Sequence, residues 1–172
     1  MELTQNPSVL ELVRKTAELT TPKEIVWIDG SEAQLESLRK IAVETGELIK
    51  LNEEKLPGCY LNRSDVNDVA RVEGRTFICS RTREEAGPTN NWMDPDEMKA
   101  KLHEILRCAM AGRTMYVIPY SMGVIGSPFA KYGIEITDSI YVVLNMAIMT
   151  RIGTKVLDAL GDSSDVILGV HS

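Results

Sequence analysis

Residues 112–139 constrain the fold more than any other stretch, because they contain two predicted strands joined by a glycine-rich loop. The run 114–118 is apolar, partly β-branched and aromatic, and is followed by Pro119, which is typical of a buried strand that ends there. The run 133–137 alternates as a second strand, and Asp138 and Ser139 can cap a following helix. These runs predict two core strands with a loop between them.

The loop between these strands allows two interpretations. Small residues let backbone N–H groups approach an anion, so the loop could cradle a phosphate; they are Ser121, Gly123, Gly126 and Ser127. A P-loop, however, needs the pattern GxxxxGK[ST] before a helix, and no Gly-Lys pair occurs in the chain. A rigid structural turn is therefore the favoured interpretation.

The rest of the chain alternates predicted helices with short predicted strands. Helices are expected to begin at Pro7, after Ser31 (a capping box with Gln34), after Asp94, at residue 140 and at Thr154. Strands are expected at 25–28, 48–51, 59–61, 76–79 and 166–170, and the polar stretch 81–91 is expected to be the least ordered. The expected fold class is α/β (mixed α+β), a mixed sheet flanked by helices in one domain over residues 1–172.

Composition excludes several classes of function. The net charge of −6 is wrong for a nucleic-acid-binding protein, which needs a contiguous basic face. The longest apolar stretch, 140–149, is about half the roughly 20 residues that span a bilayer, and the N-terminus lacks a signal-peptide pattern, so no membrane partner is expected.

Cysteine and histidine usage argues against disulfides and against a metal site within this chain. Three widely spaced cysteines fit a reducing cytoplasm, and Cys79 and Cys108 lie on apolar patterns that predict buried structural thiols. His103 and His171 are far apart and have no matching acid cluster, so no metal ligands are expected.

Positive charge is concentrated in one segment despite the acidic total. Half of the ten arginines lie between residues 63 and 83, against three acids. Each of these arginines, Arg71 among them, could bind a carboxylate, because the planar guanidinium can donate two parallel hydrogen bonds. On the residues alone, an ordinary surface pairing of Arg71 with Glu73 or Asp68 is favoured.

Five motifs together resemble the N-terminal region of the GTP-dependent phosphoenolpyruvate carboxykinases. In chain order they are DVARVEGRT, NNWMDPDEM, GRTMYVIPYSMG, GSPFAKYGIEITDS and IMTRIGTKVLDALGD. The likeness is strong from about Asp65 to Asp162 and weaker outside that range. Val124 and Ile140 stand where the family usually has proline.

The resemblance implies a substrate-binding role for one loop. It implies the N-terminal domain of the carboxykinase fold, with Arg71 contacting a carboxylate of oxaloacetate or phosphoenolpyruvate and with Glu73 and Arg75 as loop support. The implied reaction of the parent enzyme, in gluconeogenesis, is oxaloacetate + GTP to phosphoenolpyruvate + GDP + CO2, with Mn²⁺ and Mg²⁺ as metals.

The family's remaining machinery lies beyond the matched region. The resemblance places there the nucleotide loop, the manganese ligands, the reactive cysteine and the guanine pocket. We therefore expect no catalytic, metal-binding or nucleotide-binding residue and no cofactor in these 172 residues. The chain is expected to be an N-terminal fragment, catalytically silent, that binds substrate weakly and associates with the remainder of the parent chain.

Two alternatives from other functional classes stay open. The chain could be a non-catalytic module that binds carboxylates or phosphates. It could also be a structural or oligomerisation domain whose exposed edge strand pairs with another chain. A ligand titration separates these two alternatives, and size against concentration tests the second.

Overall fold

The computed structural model describes residues 2–64 and 72–172. The chain divides into two compact units: Met1–Arg63 with Cys108–Ser172 form the first unit, and Ser64–Arg107 form the second unit. The prediction that residues 1–172 make one incomplete domain stays a prediction. The sequence also predicts a short helix from Asp65 to Ala70, with Ser64 as its cap, and residues 65–70 lie outside the described ranges.

The described elements follow the predicted alternation closely. The helices are α1 (Pro7–Thr20), α2 (Glu32–Glu44), α3 (Pro95–Leu106), α4 (Ile140–Met149) and α5 (Thr154–Leu160). The strands are β1 (Glu24–Trp27), β2 (Ile49–Lys50), β3 (Tyr60–Leu61), β4 (Phe77–Ile78), β5 (Asn91–Trp92), β6 (Thr114–Met122), β7 (Lys131–Thr137), β8 (Arg151–Ile152) and β9 (Ile167–His171).

A mixed five-stranded sheet organises the first unit. Its order is β1-β6-β7-β9, with β8 also paired to β6. Strands β6 and β7 form the expected antiparallel pair, with Val117 opposite Ile136, whereas β1 is parallel to β6 and β9 is parallel to β7. The predicted α/β fold with a mixed sheet flanked by helices is confirmed.

The two faces of the sheet carry separate cores, because successive side chains of β6 point to opposite faces. On one face, Met115 and Val117 pack with residues of α1 and α5. On the other face, Tyr116 and Ile118 pack with residues of α2 and α4. Side chains from both cores are almost completely removed from water, which provides the main driving force for folding this unit.

Strand β6 continues through Pro119 to Met122, so the predicted end of the strand at Pro119 is wrong. The Pro119 carbonyl oxygen accepts a hydrogen bond from Gly153 N at 3.0 Å, so the nitrogen of Pro119 also faces the β8 side. Strand β1 pairs only as far as Val117. The missing N–H of Pro119 therefore removes no hydrogen bond from the β1 ladder, and the strand tolerates the proline.

Caps fix the ends of the helices of the first unit. Ser31 Oγ accepts from Gln34 N as predicted, but Gln34 Oε1 accepts from Asp29 N at 2.9 Å, so the reciprocal half of the capping box is absent. Ser139 caps α4 as expected, and the Glu47 carboxylate adds a hydrogen bond to Tyr141 N at 3.0 Å.

The second unit contains helix α3 and a small parallel sheet of β4 and β5. Asp94 caps α3 and Pro95 begins it, as predicted. The stretch 81–91 is more regular than expected: it includes the 3-10 turn Glu84–Ala86, in which Ala86 is 4% exposed, and it ends in β5. None of the helices among the described residues is long and apolar enough to cross a bilayer.

All three cysteines are exposed, so the prediction of buried thiols at Cys79 and Cys108 is wrong. Helix α3 ends at Leu106, and Cys108 lies beyond it in a left-handed turn with φ +57°, so it does not continue the apolar stripe of the helix. Cys79 follows the two-residue strand β4, which belongs to a sheet too small to bury both of its faces.

Candidate functional site

The predicted substrate-binding loop leads into a short turn of the second unit. Arg71 itself lies outside the described residues. The next residues form the 3-10 turn Glu73–Arg75, which leads through Thr76 into β4. Residues 73–76 are all exposed, so this turn is open to a ligand from solvent.

Backbone and side-chain hydrogen bonds define the shape of this turn. Arg75 N donates to Val72 O at 3.0 Å and Thr76 N donates to Glu73 O at 3.2 Å. The Thr76 hydroxyl also donates to Val72 O, at 2.8 Å. The turn is therefore a defined structure despite its exposure.

Asn91 closes the turn from the neighbouring strand. Its side-chain amide nitrogen donates to Glu73 O at 2.7 Å and to Thr76 O at 3.1 Å. In the β4–β5 pair, Asn91 lies opposite Phe77, the first residue after the turn. One side chain thus fastens both ends of the segment that carries Glu73 and Arg75.

The structure brings only some of the predicted site residues into one place. Glu73 and Arg75 share the 3-10 turn, while Arg81 and Arg83 are exposed in the segment that follows β4. Arg63 belongs to the first unit. The roles of Arg71, Glu73 and Arg75 in substrate binding stay predictions.

The glycine-rich loop has the geometry of a folded turn. Ser127 N donates to Val124 O at 3.0 Å, and Gly126 N donates to the Tyr132 hydroxyl at 2.9 Å. Both N–H groups therefore already have acceptors, which supports the structural interpretation of this loop over the phosphate cradle.

Metal-binding groups do not converge within the part of the chain that the structure describes. Residues 2–64 and 72–172 contain no group of three or more His, Cys, Asp or Glu side chains that could hold a metal ion. His171 is instead engaged by the Thr137 hydroxyl, with 2.9 Å between Oγ1 and Nδ1.

A cavity of about 460 Å³ lies in the first unit, and its lining residues do not include Glu73 or Arg75. Its lining includes Arg39, Tyr60 and Tyr141. Arg39 already pairs with two carboxylates of its own helix, at 2.5 Å from Glu32 and 3.3 Å from Glu36, so it offers little net positive charge to an anion.

Asn91 is the residue of the turn that sequence reasoning missed. Asparagine is unfavourable in strands, and the motif NNWMDPDEM contains two adjacent asparagines without indicating which of them reaches back to residue 73. In the sequence the Asn-Asn pair indicates only the end of a loop. The register of β5 against β4 places Asn91, and not Asn90, opposite Phe77 beside the turn.

Comparison with known proteins identifies the family. The family model described as phosphoenolpyruvate carboxykinase N-terminal domain matches residues 11–172. The chain belongs to this family. The Asp68–Thr76 and Asn90–Met98 motifs, which include the turn and Asn91, both fall within the matched residues.

Curated relatives support the same assignment. The chain is 54% identical to a phosphoenolpyruvate carboxykinase [GTP] of Corynebacterium kroppenstedtii and 54% identical to one of Anaeromyxobacter dehalogenans, in both cases over 98% of this chain. It is 53% identical over 97% of its length to one of Neocallimastix frontalis. The chain spans only 27–28% of the length of these relatives.

Proposed function

We propose that this carboxykinase N-terminal domain supplies the loop that binds the substrate carboxylate in a GTP-dependent phosphoenolpyruvate carboxykinase, with Arg71 as the contacting residue. The observation that carries the proposal is the continuous match to the family over residues 11–172, which includes the DVARVEGRT motif. The exposed turn after Arg71 supports it, because a carboxylate arriving from solvent can reach that segment.

The reaction proposed for the whole enzyme is decarboxylation of oxaloacetate followed by phosphoryl transfer from GTP, which yields phosphoenolpyruvate, GDP and CO2. Loss of CO2 leaves an enolate, and phosphoryl transfer concentrates negative charge, so both steps need cations held close to the substrate. In this scheme Arg71 binds and orients the carboxylate of the substrate and holds no proton of the reaction.

The manganese and magnesium ions implied by the family do not fit the residues described in this chain. Such ions need several oxygen or nitrogen ligands in one place. The described residues offer no such cluster. We therefore derive no step through a metal from these residues, and we propose that the 172-residue chain alone has no GTP-dependent activity. Turnover of oxaloacetate and GTP by the purified chain would contradict this.

The chain alone should bind the substrate weakly. One arginine–carboxylate interaction contributes about 1.5–3 kcal/mol. Millimolar affinity already requires about −4.1 kcal/mol. A dissociation constant above about 1 mM is therefore expected for oxalate or phosphoenolpyruvate.

A titration with oxalate followed by amide chemical shifts tests the role of Arg71. Shifts in residues 72–76 should saturate in the unaltered chain and should lose their oxalate dependence in Arg71→Ala. Arg83→Ala is the matched control, because Arg83 is an exposed arginine of the same unit. If the oxalate-dependent shifts are lost equally in both variants, oxalate responds only to the general positive charge of the unit, and the proposal is contradicted.

Strand β9 favours a second candidate function, association with another chain. Strand β9 lies at one end of the described sheet order and exposes Ile167 by 51% and Leu168 by 46%. An apolar strand with an unpaired edge recruits further strands. Sedimentation at several concentrations tests this: a mass that rises with concentration in the unaltered chain, but not in Leu168→Lys, supports it.

The three free thiols support a cytoplasmic location for the protein, since disulfides are rare in that compartment. Fractionation of the source cells with a reagent against this chain tests that location.

A further inference from the structure

We propose that Asn91 is a positioning residue that holds the turn after Arg71 in the shape required for substrate binding. The inference rests on the proposed role of Arg71 and adds a residue that does not itself touch the substrate. It comes from one juxtaposition: the Asn91 amide donates to the carbonyl oxygens of Glu73 and Thr76, on either side of Arg75.

Hydrogen bonds to two of its carbonyl oxygens help to hold the turn. Residues 73–76 are exposed, and among the described residues a Cβ atom built on Gly74 meets no atom within 4 Å. An exposed segment of this kind loses conformational entropy when it is ordered for binding. The clamp from Asn91 orders it before the ligand arrives.

Asn91 is itself held firmly by its own strand. Its neighbour Trp92 donates its indole N–H to Ser80 O at 3.1 Å, and Met93 N donates to Ile78 O at 3.3 Å. These bonds join β5 to the chain that leaves the turn. Asn91 therefore connects the turn to strand β5. Because Arg75 N and the Thr76 hydroxyl donate to the carbonyl oxygen of Val72, fixing the turn also fixes Val72.

The clamp requires a donor and not merely a polar side chain. Both hydrogen bonds come from the amide nitrogen of Asn91, whose two protons match the two carbonyl oxygens. Aspartate has the same shape but no proton to donate at neutral pH. Asn91→Asp therefore removes the clamp while it keeps the size of the side chain.

The neighbouring residue provides a matched control. Asn90 also donates its side-chain amide to a backbone carbonyl, that of Ala86 at 2.7 Å, but in the other 3-10 turn of the same unit. Asn90→Asp thus removes a comparable hydrogen bond without touching residues 72–76. Gly74→Ala acts in the opposite direction, because it stiffens the turn where there is room for a methyl group.

The test measures oxalate affinity and amide hydrogen exchange on the same variants. We expect Asn91→Asp to weaken oxalate binding three- to tenfold and to speed exchange at Arg75 and Thr76 about tenfold, whereas Asn90→Asp leaves both near the values of the unaltered chain. Gly74→Ala should strengthen binding about twofold and should partly rescue Asn91→Asp.

Each result separates this inference from the proposed function. If Arg71→Ala loses binding while the Asn91 and Asn90 variants bind equally well, the clamp is wrong and the role of Arg71 stands. If Arg71→Ala binds as well as the unaltered chain, both are wrong. If Asn91→Asp unfolds the second unit, the result for Gly74→Ala decides: unchanged affinity in that variant overturns the clamp.

Discussion

Arg113 and Asp138 join the two central strands at the open end of their hairpin. Arg113 Nη2 lies 2.7 Å from Asp138 Oδ2, and the side chain of Asp138 is only 4% exposed, whereas that of Arg113 is 55% exposed. The Ser172 hydroxyl also donates to Asp138 Oδ2, at 3.1 Å. The nearly buried carboxylate of Asp138 is thus stabilised by the guanidinium of Arg113, which is about half exposed to water.

Arg113→Met should destabilise the protein by about 1–3 kcal/mol. The substitution leaves the Asp138 carboxylate buried without its counterion, although the exposed half of Arg113 keeps the loss below that of a fully buried pair. Urea unfolding measures the difference. Arg14→Met is the control, because among the described residues Arg14 pairs with the exposed carboxylates of Glu11 and Glu18, and the substitution should change stability much less than Arg113→Met does. Equal effects of the two substitutions would contradict this account.

Glu135 should make stability depend on pH in an unusual direction. Burial raises the pKa of the Glu135 carboxyl above its ordinary 4.5, and the nearby His171 opposes this rise. The folded state therefore holds the proton more tightly than the unfolded state does. The contribution of Glu135 to folding is present below the unfolded pKa and is lost as pH rises through the folded pKa.

Glu135→Gln removes this titration and tests its sign. As pH rises from 4 to 7, the stability of the variant should increase relative to that of the unaltered protein. Urea unfolding at each pH measures this difference. Glu53 supplies an opposite control, since hydrogen bonds from Lys50 and Gly58 N lower its pKa. As pH rises over the same range, the stability of Glu53→Gln should decrease relative to that of the unaltered protein. A constant difference for Glu135→Gln would show that its carboxyl is not desolvated.

Local patterns predicted most of the elements, because they depend on residues near in sequence. The caps at Ser31, Asp94 and Ser139 all accept hydrogen bonds from their own helices, as the residue types indicate. The apolar run 114–118 and the alternation in 133–137 likewise predicted the two strands that carry both cores. Family resemblance, not periodicity, selected Arg71.

Features that depend on pairing between distant segments were not predictable. Pro119 is tolerated because β1 ends before it, a fact of sheet register. Cys108 is exposed because the chain turns at φ +57° after Leu106. Asn91 reaches the turn at Glu73 because β4 and β5 pair in one particular register. None of these follows from residue type or spacing alone.

Gly153→Ala should cost about 3 kcal/mol or more. Gly153 has φ +106°, and a Cβ atom there would overlap the Asp29 carbonyl group, which already accepts a hydrogen bond from Thr154 N at 3.1 Å. Gly161→Ala is the control: Gly161 also has positive φ, +52°, but a Cβ atom there meets nothing within 4 Å. Gly161→Ala should cost only the strain of its backbone conformation, about 1–3 kcal/mol. The difference in unfolding free energy between the two variants measures the close approach of Gly153 to the end of β1.

Asn6 joins the N-terminus to the end of α5, and its loss should be costly. Its Oδ1 accepts from Ser8 N at 3.0 Å and Val9 N at 3.2 Å, and its Nδ2 donates to Gly161 O at 2.7 Å and Ser163 O at 2.9 Å. Asn6 is 1% exposed, so its side-chain amide depends on these protein partners for its hydrogen bonds.

Asn6→Ala should destabilise the protein by about 1–3 kcal/mol, since it removes a helix cap and two hydrogen bonds to the carbonyl oxygens of Gly161 and Ser163. Asn6→Asp separates the two roles, because it keeps the acceptor for α1 but faces two carbonyl oxygens with a carboxylate. Asn52→Ala is the control: Asn52 caps only the exposed turn at Glu54 and Lys55 and should cost less than about 1 kcal/mol. Urea unfolding checks all three. If Asn6→Asp is as stable as the unaltered protein, the bonds to α5 contribute nothing and the cap alone explains the asparagine.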